Sequence, residues 1–279
     1  MVSNKESYLK KHTTTIIIVV LYLFYVYPIL FPFSPPIVVG EKAQSFYDLV
    51  ESLPDEPTVL LTYDYGAVSY PYFQGFQEAF MKHIYRKDGN VILVAFGAAG
   101  PMMYKMMQKT FAPVWDQKTY GEDYVFLGFI PGGETGVASF MADIRQTIMI
   151  DFEGNPIDTL QIMENVNMAT DFDLVVNCET STTIGDGFVR QVASAYGVKL
   201  ALVGPGGPTW EPYYPEQIQG NLYPLPGAPA EYEKLLGAPG NASSQIGLLF
   251  TGSLFYLVII ICGNVIPRIG KGSENGNTD

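Results

Sequence analysis

The sequence predicts an α/β domain with a doubly wound, mostly parallel sheet of the Rossmann or flavodoxin type, flanked by an N-terminal and a C-terminal transmembrane helix. Three observations lead to this fold. Short apolar runs alternate with amphipathic stretches, as in units that join parallel strands through helices. The loops between them are short and rich in glycine. Two uncharged apolar stretches bracket the whole domain.

The predicted strands are continuous apolar runs, which are typical of parallel strands covered by helices on both faces. Such strands need crossover connections, so the segments between them are expected to be helices. The strands are predicted at 58–63, 90–96, 124–129, 172–177 and 199–203.

The segments between the strands have the spacing of amphipathic helices. Phe73, Phe76 and Phe80, for example, recur at intervals of three and four residues, which places them on one helix face. Strand order cannot be read from this pattern. Helices are predicted at 41–53, 70–85, 101–111, 136–146, 184–196 and 230–236.

The bracketing stretches, 14–34 and 246–266, each have about the 20 residues that a helix needs to cross a bilayer. Basic residues lie in the tails 1–13 and 267–279, and the second tail is also expected to be disordered. Basic tails favour the cytoplasm, so the sequence predicts a two-pass protein of the cell membrane with both termini cytoplasmic and the domain 40–243 outside. A cleaved signal peptide is the alternative for the first stretch, but no small-x-small cleavage site follows it.

The domain is acidic: residues 40–243 carry 11 Lys+Arg and 25 Asp+Glu, a net charge of −14. This balance disfavours nucleic acid, which binds basic surfaces. The expected partners are the lipid bilayer and other membrane-protein subunits or further copies of the chain. The two histidines, His12 and His83, leave no set of zinc ligands, and His83 is expected on the surface beside Lys82 and Arg86.

Ligands of doubly wound folds bind beyond the carboxyl ends of the strands. Five loops fall at those ends, and all are rich in glycine or small polar residues. The alternative is that these residues only form tight turns and helix caps, which favour the same residue types. The candidate ligand-binding residues are Asp64, Tyr65, Gly97, Gly100, Gly132, Gly133, Glu134, Thr135, Glu179, Thr180, Ser181 and Gly206.

Three of these candidates, Asp64, Glu134 and Glu179, are carboxylates at strand ends. Converging carboxylates can bind a divalent cation or act as acid and base. The alternative is that each one caps a helix or faces solvent. The loop 132–136 opens a helix whose N–H groups could hold an anion, but the chain has no P-loop or dinucleotide fingerprint. The sequence therefore names no cofactor.

Four segments carry a resemblance to a known group of proteins: LLTYDY at 60–65, YGEDYVFLGF at 120–129, DFDLVV at 171–176 and GAPAEYEKLL at 227–236. In these segments the chain resembles an uncharacterised family of prokaryotic membrane-anchored α/β, Rossmann-like proteins. The resemblance spans most of the domain. It implies the fold and the membrane anchoring, and it implies no activity.

Two functions are compatible with these observations. The first is a non-enzymatic, membrane-tethered module that binds a ligand or a partner as a subunit of a membrane complex, because the chain is anchored twice and shows no assembled catalytic set. The second is an extracytoplasmic hydrolase or transferase that holds a divalent metal with carboxylates at the strand ends. Whether the chain is an enzyme stays open at the level of sequence.

Overall fold

The structure is a computed structural model that describes residues 12, 15, 17–27, 30, 36–223 and 227–274. The chain divides into two compact units. Residues 37–243 form the first, and the described residues within 1–36 and 244–279 form the second. The first unit contains the sheet, and it begins three residues before the predicted domain 40–243.

The first unit is built on a six-stranded sheet with the order β3-β2-β1-β4-β5-β6, in which all neighbouring strands pair in parallel. This confirms the predicted doubly wound parallel sheet. The sixth strand was not predicted, because three residues including a glycine and an asparagine give no apolar run. The strands are β1 (Thr58–Thr62), β2 (Asn90–Ala95), β3 (Tyr124–Phe129), β4 (Leu174–Cys178), β5 (Leu200–Val203) and β6 (Gly220–Leu222).

Helices follow the strands as predicted, with one difference in continuity. The helix predicted at 136–146 is broken at Asp143, whose side chain accepts the N–H of Gln146 at 3.0 Å and so starts a separate turn. The helices are α1 (Glu41–Glu51), α2 (Tyr70–Arg86), α3 (Gly100–Thr110), α4 (Ala112–Trp115), α5 (Glu134–Ala142), α6 (Ile144–Thr147), α7 (Thr182–Phe188, continued by a π-helical stretch over Val189–Ser194), α8 (Gly207–Trp210), α9 (Gly227–Leu235) and α10 (Asn241–Glu274).

The sheet separates two hydrophobic cores. Alternate residues of a strand point to opposite faces, so Leu61 of β1 lies in the first core and Leu60 in the second. Helices α1, α2, α3 and α9 cover the first core, whereas α5 and α7 contribute to the second. This alternation fixes which face each polar residue at a strand end occupies.

His83 is buried in the first unit, so the prediction that it lies on the surface was wrong. Its side chain is 1% exposed, with Nδ1 2.6 Å from the hydroxyl of Tyr232 and Nε2 3.2 Å from Oε1 of Glu51. Burial lowers the pKa of His83. Lys82 was a poor guide to the exposure of His83, because adjacent residues on a helix point about 100° apart.

The second unit contains apolar helices. Among the described residues, Asn241–Ile261 of α10 is long and apolar enough to cross a membrane, and the helix Ile17–Tyr27 is apolar but shorter. The two helices are in contact, since the rings of Phe24 and Phe255 lie 5.3 Å apart. Most of the predicted tail 1–13 lies outside the described residues. The predicted first span 14–34 lies partly outside them.

Helix α10 continues to Glu274, past the predicted end of the second span at residue 266. Residues 267–274 are therefore helical where a disordered tail was predicted, and 275–279 lie outside the described residues. Extension of an existing helix costs much less free energy than nucleation of a new one.

The start of α10 is held by a carboxylate of the preceding helix. Glu233 of α9 is buried, and its Oε1 accepts the N–H of Ala242 at 2.9 Å. Its Oε2 accepts the N–H groups of Gly240 at 2.9 Å and Ser243 at 2.8 Å. These N–H groups lie at a helix N-terminus, where the backbone has no partner of its own and the helix dipole favours a negative charge. Glu233 thus serves as the cap of α10.

Replacement of Glu233 by glutamine is expected to destabilise the protein by about 1–3 kcal/mol, because one carboxylate oxygen becomes an NH₂ group that faces backbone donors. Thermal unfolding of the full chain in mild detergent, followed by tryptophan fluorescence, measures the effect. Both tryptophans, Trp115 and Trp210, lie in the first unit. The exposed Glu216→Gln is the control, and its stability should match that of the wild type. Equal stability of the Glu233 variant would contradict the capping role.

Candidate functional site

Four polar side chains meet where β1 and β4 end. Thr62 is the last residue of β1, and Asp64 lies two positions after it; Asn177 is the second-last residue of β4, and Glu179 lies two positions after it. The pairing of the two strands continues through a parallel bridge between Asp64 and Glu179. Because alternate residues share a face, all four lie on the side of the second core. These four residues are named the polar cluster.

The polar cluster lies at the point where the strand order reverses. The order runs outward from β1 through β2 to β3 on one side, and from β4 through β5 to β6 on the other. Sheets of this topology leave a crevice at the carboxyl ends of the two central strands, and ligands bind there. The cluster therefore occupies the position in the fold that is most often used for binding.

Asp64 is held by three hydrogen bonds, at least one to each carboxylate oxygen. Its Oδ1 accepts the backbone N–H groups of Phe96 at 2.6 Å and Gly97 at 2.8 Å. Its Oδ2 accepts Nδ2 of Asn177 at 2.8 Å, and the same amide nitrogen donates to Oγ1 of Thr62 at 2.7 Å. Asp64 thereby fastens the loop after β2 to the end of β1, which is a structural role.

Glu179 has no such set of partners. Its side chain is fully buried, yet neither carboxyl oxygen makes a hydrogen bond of normal geometry within the part of the chain that the structure describes. The carboxyl packs against the backbone of α7: a Cβ atom at Gly185 would lie only 1.9 Å from its Oε1. A buried polar group without a partner costs free energy, so its presence requires an explanation.

Burial gives the two neighbouring carboxyls different protonation states. Burial, which is the largest cause, and the negative charges of Asp64 and Asp186 together raise the pKa of Glu179 to about 9, against the opposing effect of the N–H of Gly185. Burial also raises the pKa of Asp64, to about 6, against the opposing effect of its hydrogen bonds. At neutral pH Glu179 is therefore a neutral acid and Asp64 is mostly ionised. Adjacent carboxyls with separated pKa values can divide the roles of donor and acceptor.

The indole of Trp210 covers Glu179. A Cβ atom at Gly185 would lie 1.9 Å from Oε1 of Glu179 and 2.6 Å from Cζ2 of Trp210. The carboxyl and the indole ring are therefore neighbours. Trp210 is fully buried, and a Cβ atom at Gly206 would approach its ring to 2.7 Å. The glycines at 185 and 206 therefore leave space for the indole. The candidate Gly206 is explained by this packing.

Among the residues that the structure describes, the buried atoms without partners around this crevice are mostly hydrogen-bond acceptors. They are Oδ1 of Asn177, both carboxyl oxygens of Glu179 and Oδ1 of Asp186, against a single N–H donor, Nε1 of Trp210. The proton of neutral Glu179 adds one donor. A group that carries several N–H donors would match this arrangement, whereas an anion would not.

Comparisons of the chain with known protein families, with curated proteins and with solved structures found no match. The strand order is that of dinucleotide-binding folds, but the loop after β1 reads Asp64-Tyr65-Gly66-Ala67 and lacks the glycine-rich phosphate fingerprint. Topology alone assigns no function. The chemistry of the polar cluster is the remaining guide.

Several other candidates have structural roles away from the cluster. Tyr65 lies in the first core, where its ring stacks on Phe73 at 4.2 Å and its hydroxyl donates to Gln77 at 2.6 Å. Gly100 packs against Ala95, because a Cβ atom there would lie 2.0 Å from that of the alanine. The candidates Thr180 and Ser181 are exposed just before α7. Of the predicted residues, the structure brings together Asp64, Gly97 and Glu179.

Glu134 does not join Asp64 and Glu179. It forms hydrogen bonds with Arg190 at 2.8 and 2.6 Å, and these lower its pKa to about 2. It packs beside Gly187, whereas Glu179 packs beside Gly185. Residues two apart on a helix point about 200° apart, so the two carboxylates lie on different sides of α7.

The predicted metal set of Asp64, Glu134 and Glu179 is therefore not assembled. Within the described ranges, no group of three or more His, Cys, Asp or Glu side chains is placed to hold a metal ion. The backbone conformation explains why glycines precede Glu134. Gly132 and Gly133 have φ values of 108° and 56°, which glycine adopts without strain. Thr135 is exposed in the first turn of α5.

Thr62 and Asn177 belong to the site but were not predicted. Each precedes a candidate carboxylate by two positions, so each strand ends with two polar residues on the same face. This alternation at the end of an otherwise apolar strand was the signal in the sequence. This signal was missed because the predicted strands 58–63 and 172–177 included Thr62 and Asn177, so only the residues after the strands were considered as candidates.

Proposed function

We propose that this chain is a membrane-tethered α/β module that binds a small ligand at the polar cluster and works as a subunit of a membrane complex or a homo-oligomer. The apolar segment of α10 and the contact between Phe24 and Phe255 support two anchors that pack together. The basic tails favour both termini in the cytoplasm and the domain outside. Membership of the prokaryotic membrane-anchored family is part of this proposal.

The observation that carries the proposed binding is the buried, unpartnered carboxyl of Glu179. A glutamine or an apolar residue at this position would avoid the cost of burying an ionisable group. Residues that lower the stability of the fold in this way are typical of binding and catalytic sites. Glu179 is therefore assigned to an interaction with a ligand.

The ligand is assigned an amine or guanidinium group. Such a group supplies N–H donors to the oxygens of Asn177, Glu179 and Asp186, and its positive charge would convert neutral Glu179 into a carboxylate counter-ion. The domain, with a net charge of −14 between residues 40 and 243, attracts cations over a longer range. The face of Trp210, once displaced from the carboxyl, is suited to a cation–π contact.

A divalent-metal hydrolase or transferase is less well supported. That function needed Glu134 beside Asp64 and Glu179, but Glu134 is bound to Arg190 on another side of α7. In addition, Asp64 already accepts three hydrogen bonds from the chain. Binding is the function that the geometry favours.

The proposal is tested with the full chain, recovered in mild detergent from alkali-washed membranes. Titration with agmatine, spermidine and ethanolamine, and with acetate and glycerol for comparison, is followed by calorimetry in two buffers of different ionisation enthalpy. At least one amine is expected to bind with release of about one proton, because ionised Glu179 pairs with it. Glu179→Gln should weaken this binding by about tenfold or more.

The control variant is Glu216→Gln, which removes an exposed carboxylate and should bind like the wild type. Recovery of the chain in the aqueous fraction would overturn the tether. Equal amine binding by the Glu179 variant and the wild type would overturn the site. Binding of acetate in place of the amines would overturn the ligand class.

A further inference from the structure

A cleft lined by several basic residues lies at the amino-terminal edge of the sheet. Helix α2 runs back from the carboxyl end of β1 and ends at Arg86, shortly before β2 begins, and Lys118 precedes β3. Between these elements the structure has a cleft of about 310 Å³. It is lined by Lys82, Tyr85, Arg86, Val114, Gln117 and Lys118.

Three cations line this cleft in a domain whose acidic residues outnumber its basic ones. Lys82 pairs with Glu78 at 2.5 Å, and Lys118 pairs with Asp123 at 3.2 Å, both at partly exposed positions. Arg86 donates to the carbonyl oxygen of Leu236 at 2.5 Å. Partly exposed ion pairs are weak and exchange readily, so both lysines can turn to a stronger acceptor.

Tyr85 supplies the observation that points to a ligand. Its hydroxyl oxygen is buried and has no hydrogen-bond partner among the residues that the structure describes, and its side chain lines the cleft. The ammonium of Lys118 lies 4.8 Å from the centre of the Tyr85 ring. The cleft therefore combines cationic donors from Lys82, Arg86 and Lys118 with a tyrosine whose buried hydroxyl has no partner among the described residues.

We infer that this cleft binds a small oxyanion of the phosphoryl type. The inference does not depend on the polar cluster, which lies at the other edge of the sheet and is rich in acceptors. Phosphoryl oxygens accept several hydrogen bonds and carry the charge that three cations match. A free phosphate compound and a phospholipid headgroup share this chemistry.

The test is titration of the full chain in mild detergent with inorganic phosphate and with soluble dihexanoyl phosphatidic acid, at matched ionic strength. Saturable binding of phosphate is expected in the wild type. Lys118→Gln should weaken it about fivefold or more, and Tyr85→Phe about threefold. Tyr85→Phe removes only an unpartnered hydroxyl, so it should leave the thermal midpoint unchanged or raised, which separates lost binding from lost folding.

The matched control is Lys105→Gln, which removes a lysine from the ion pair with Glu153 at 2.7 Å, outside the cleft. Its affinity for phosphate should equal that of the wild type. Tighter binding of phosphatidic acid would support the cleft as a headgroup site, and equal or weaker binding would support it as a site for free phosphate compounds. The absence of saturable binding, or equal losses in the Lys105 and Lys118 variants, would overturn the inference.

Discussion

Replacement of Glu179 by glutamine is expected to stabilise the protein, increasingly so as the pH rises. The pKa of Glu179 is about 9 in the folded state, against a reference value of 4.5. Between these two pH values the unfolded chain releases a proton that the folded chain keeps, so wild-type stability falls by about 1.4 kcal/mol per pH unit on account of this group. Glutamine keeps the size and neutrality of the protonated acid and removes this loss.

The measurement is the free energy of unfolding of the wild type and the variant at about pH 5 and about pH 8, by urea titration of the full chain in detergent. The difference between the two proteins should be small at the lower pH and several kcal/mol in favour of the variant at the higher one. Glu216→Gln serves again as the exposed control. A difference that does not change with pH would show that Glu179 is ionised in the folded protein.

Replacement of Asp64 by asparagine is expected to have the opposite effect, a loss of about 2–4 kcal/mol. Asp64 accepts the N–H groups of Phe96 and Gly97 on one oxygen and Nδ2 of Asn177 on the other. An amide NH₂ in place of either oxygen would face a donor and leave it buried without a partner. Removal of the charge gives a smaller gain, because the pKa of Asp64 is raised only to about 6.

Urea titration at neutral pH measures this loss, with the exposed Asp55→Asn as the control for the same chemical change. The control should stay within about 0.5 kcal/mol of the wild type. An Asp64 variant as stable as the wild type would contradict the structural role of this residue. In that case the hydrogen bonds of Asp64 would contribute nothing net to folding.

The opposite signs of these two results distinguish two neighbouring carboxyls with different purposes. Asp64 accepts three hydrogen bonds within the fold, whereas Glu179 leaves both oxygens without partners in the described chain. We expect substitutions of Asp64 to impair folding first and binding as a consequence. Substitutions of Glu179 should impair binding in a protein that is folded at least as well as the wild type.

The strands and most helices followed from the sequence because local patterns determine them. The apolar run at 124–129 coincides with β3, and the helical spacing at 70–85 coincides with α2 to within one residue. The continuous apolar run indicates a strand buried on both faces, and the helical spacing indicates a helix buried on one face. Strands and helices are buried in these ways in any fold of this class. The short strand β6 and the break at Asp143 depend on particular contacts and gave no such pattern.

Local patterns did not determine which side chains meet. The sequence located three carboxylates at strand ends, but only the adjacency of β1 and β4 joins Asp64 to Glu179. Glu134 follows β3, which lies at the edge of the sheet, and it reaches Arg190 instead.

The burial of His83 under Tyr232 has the same origin, because a helix that is distant in sequence covers it. The sequence by itself determined the type of most elements and the edge of the sheet at which the candidate carboxylates lie. Strand order, and with it the composition of the site, was decided by the tertiary structure, because it depends on how helices far apart in the chain cover the two faces of the sheet.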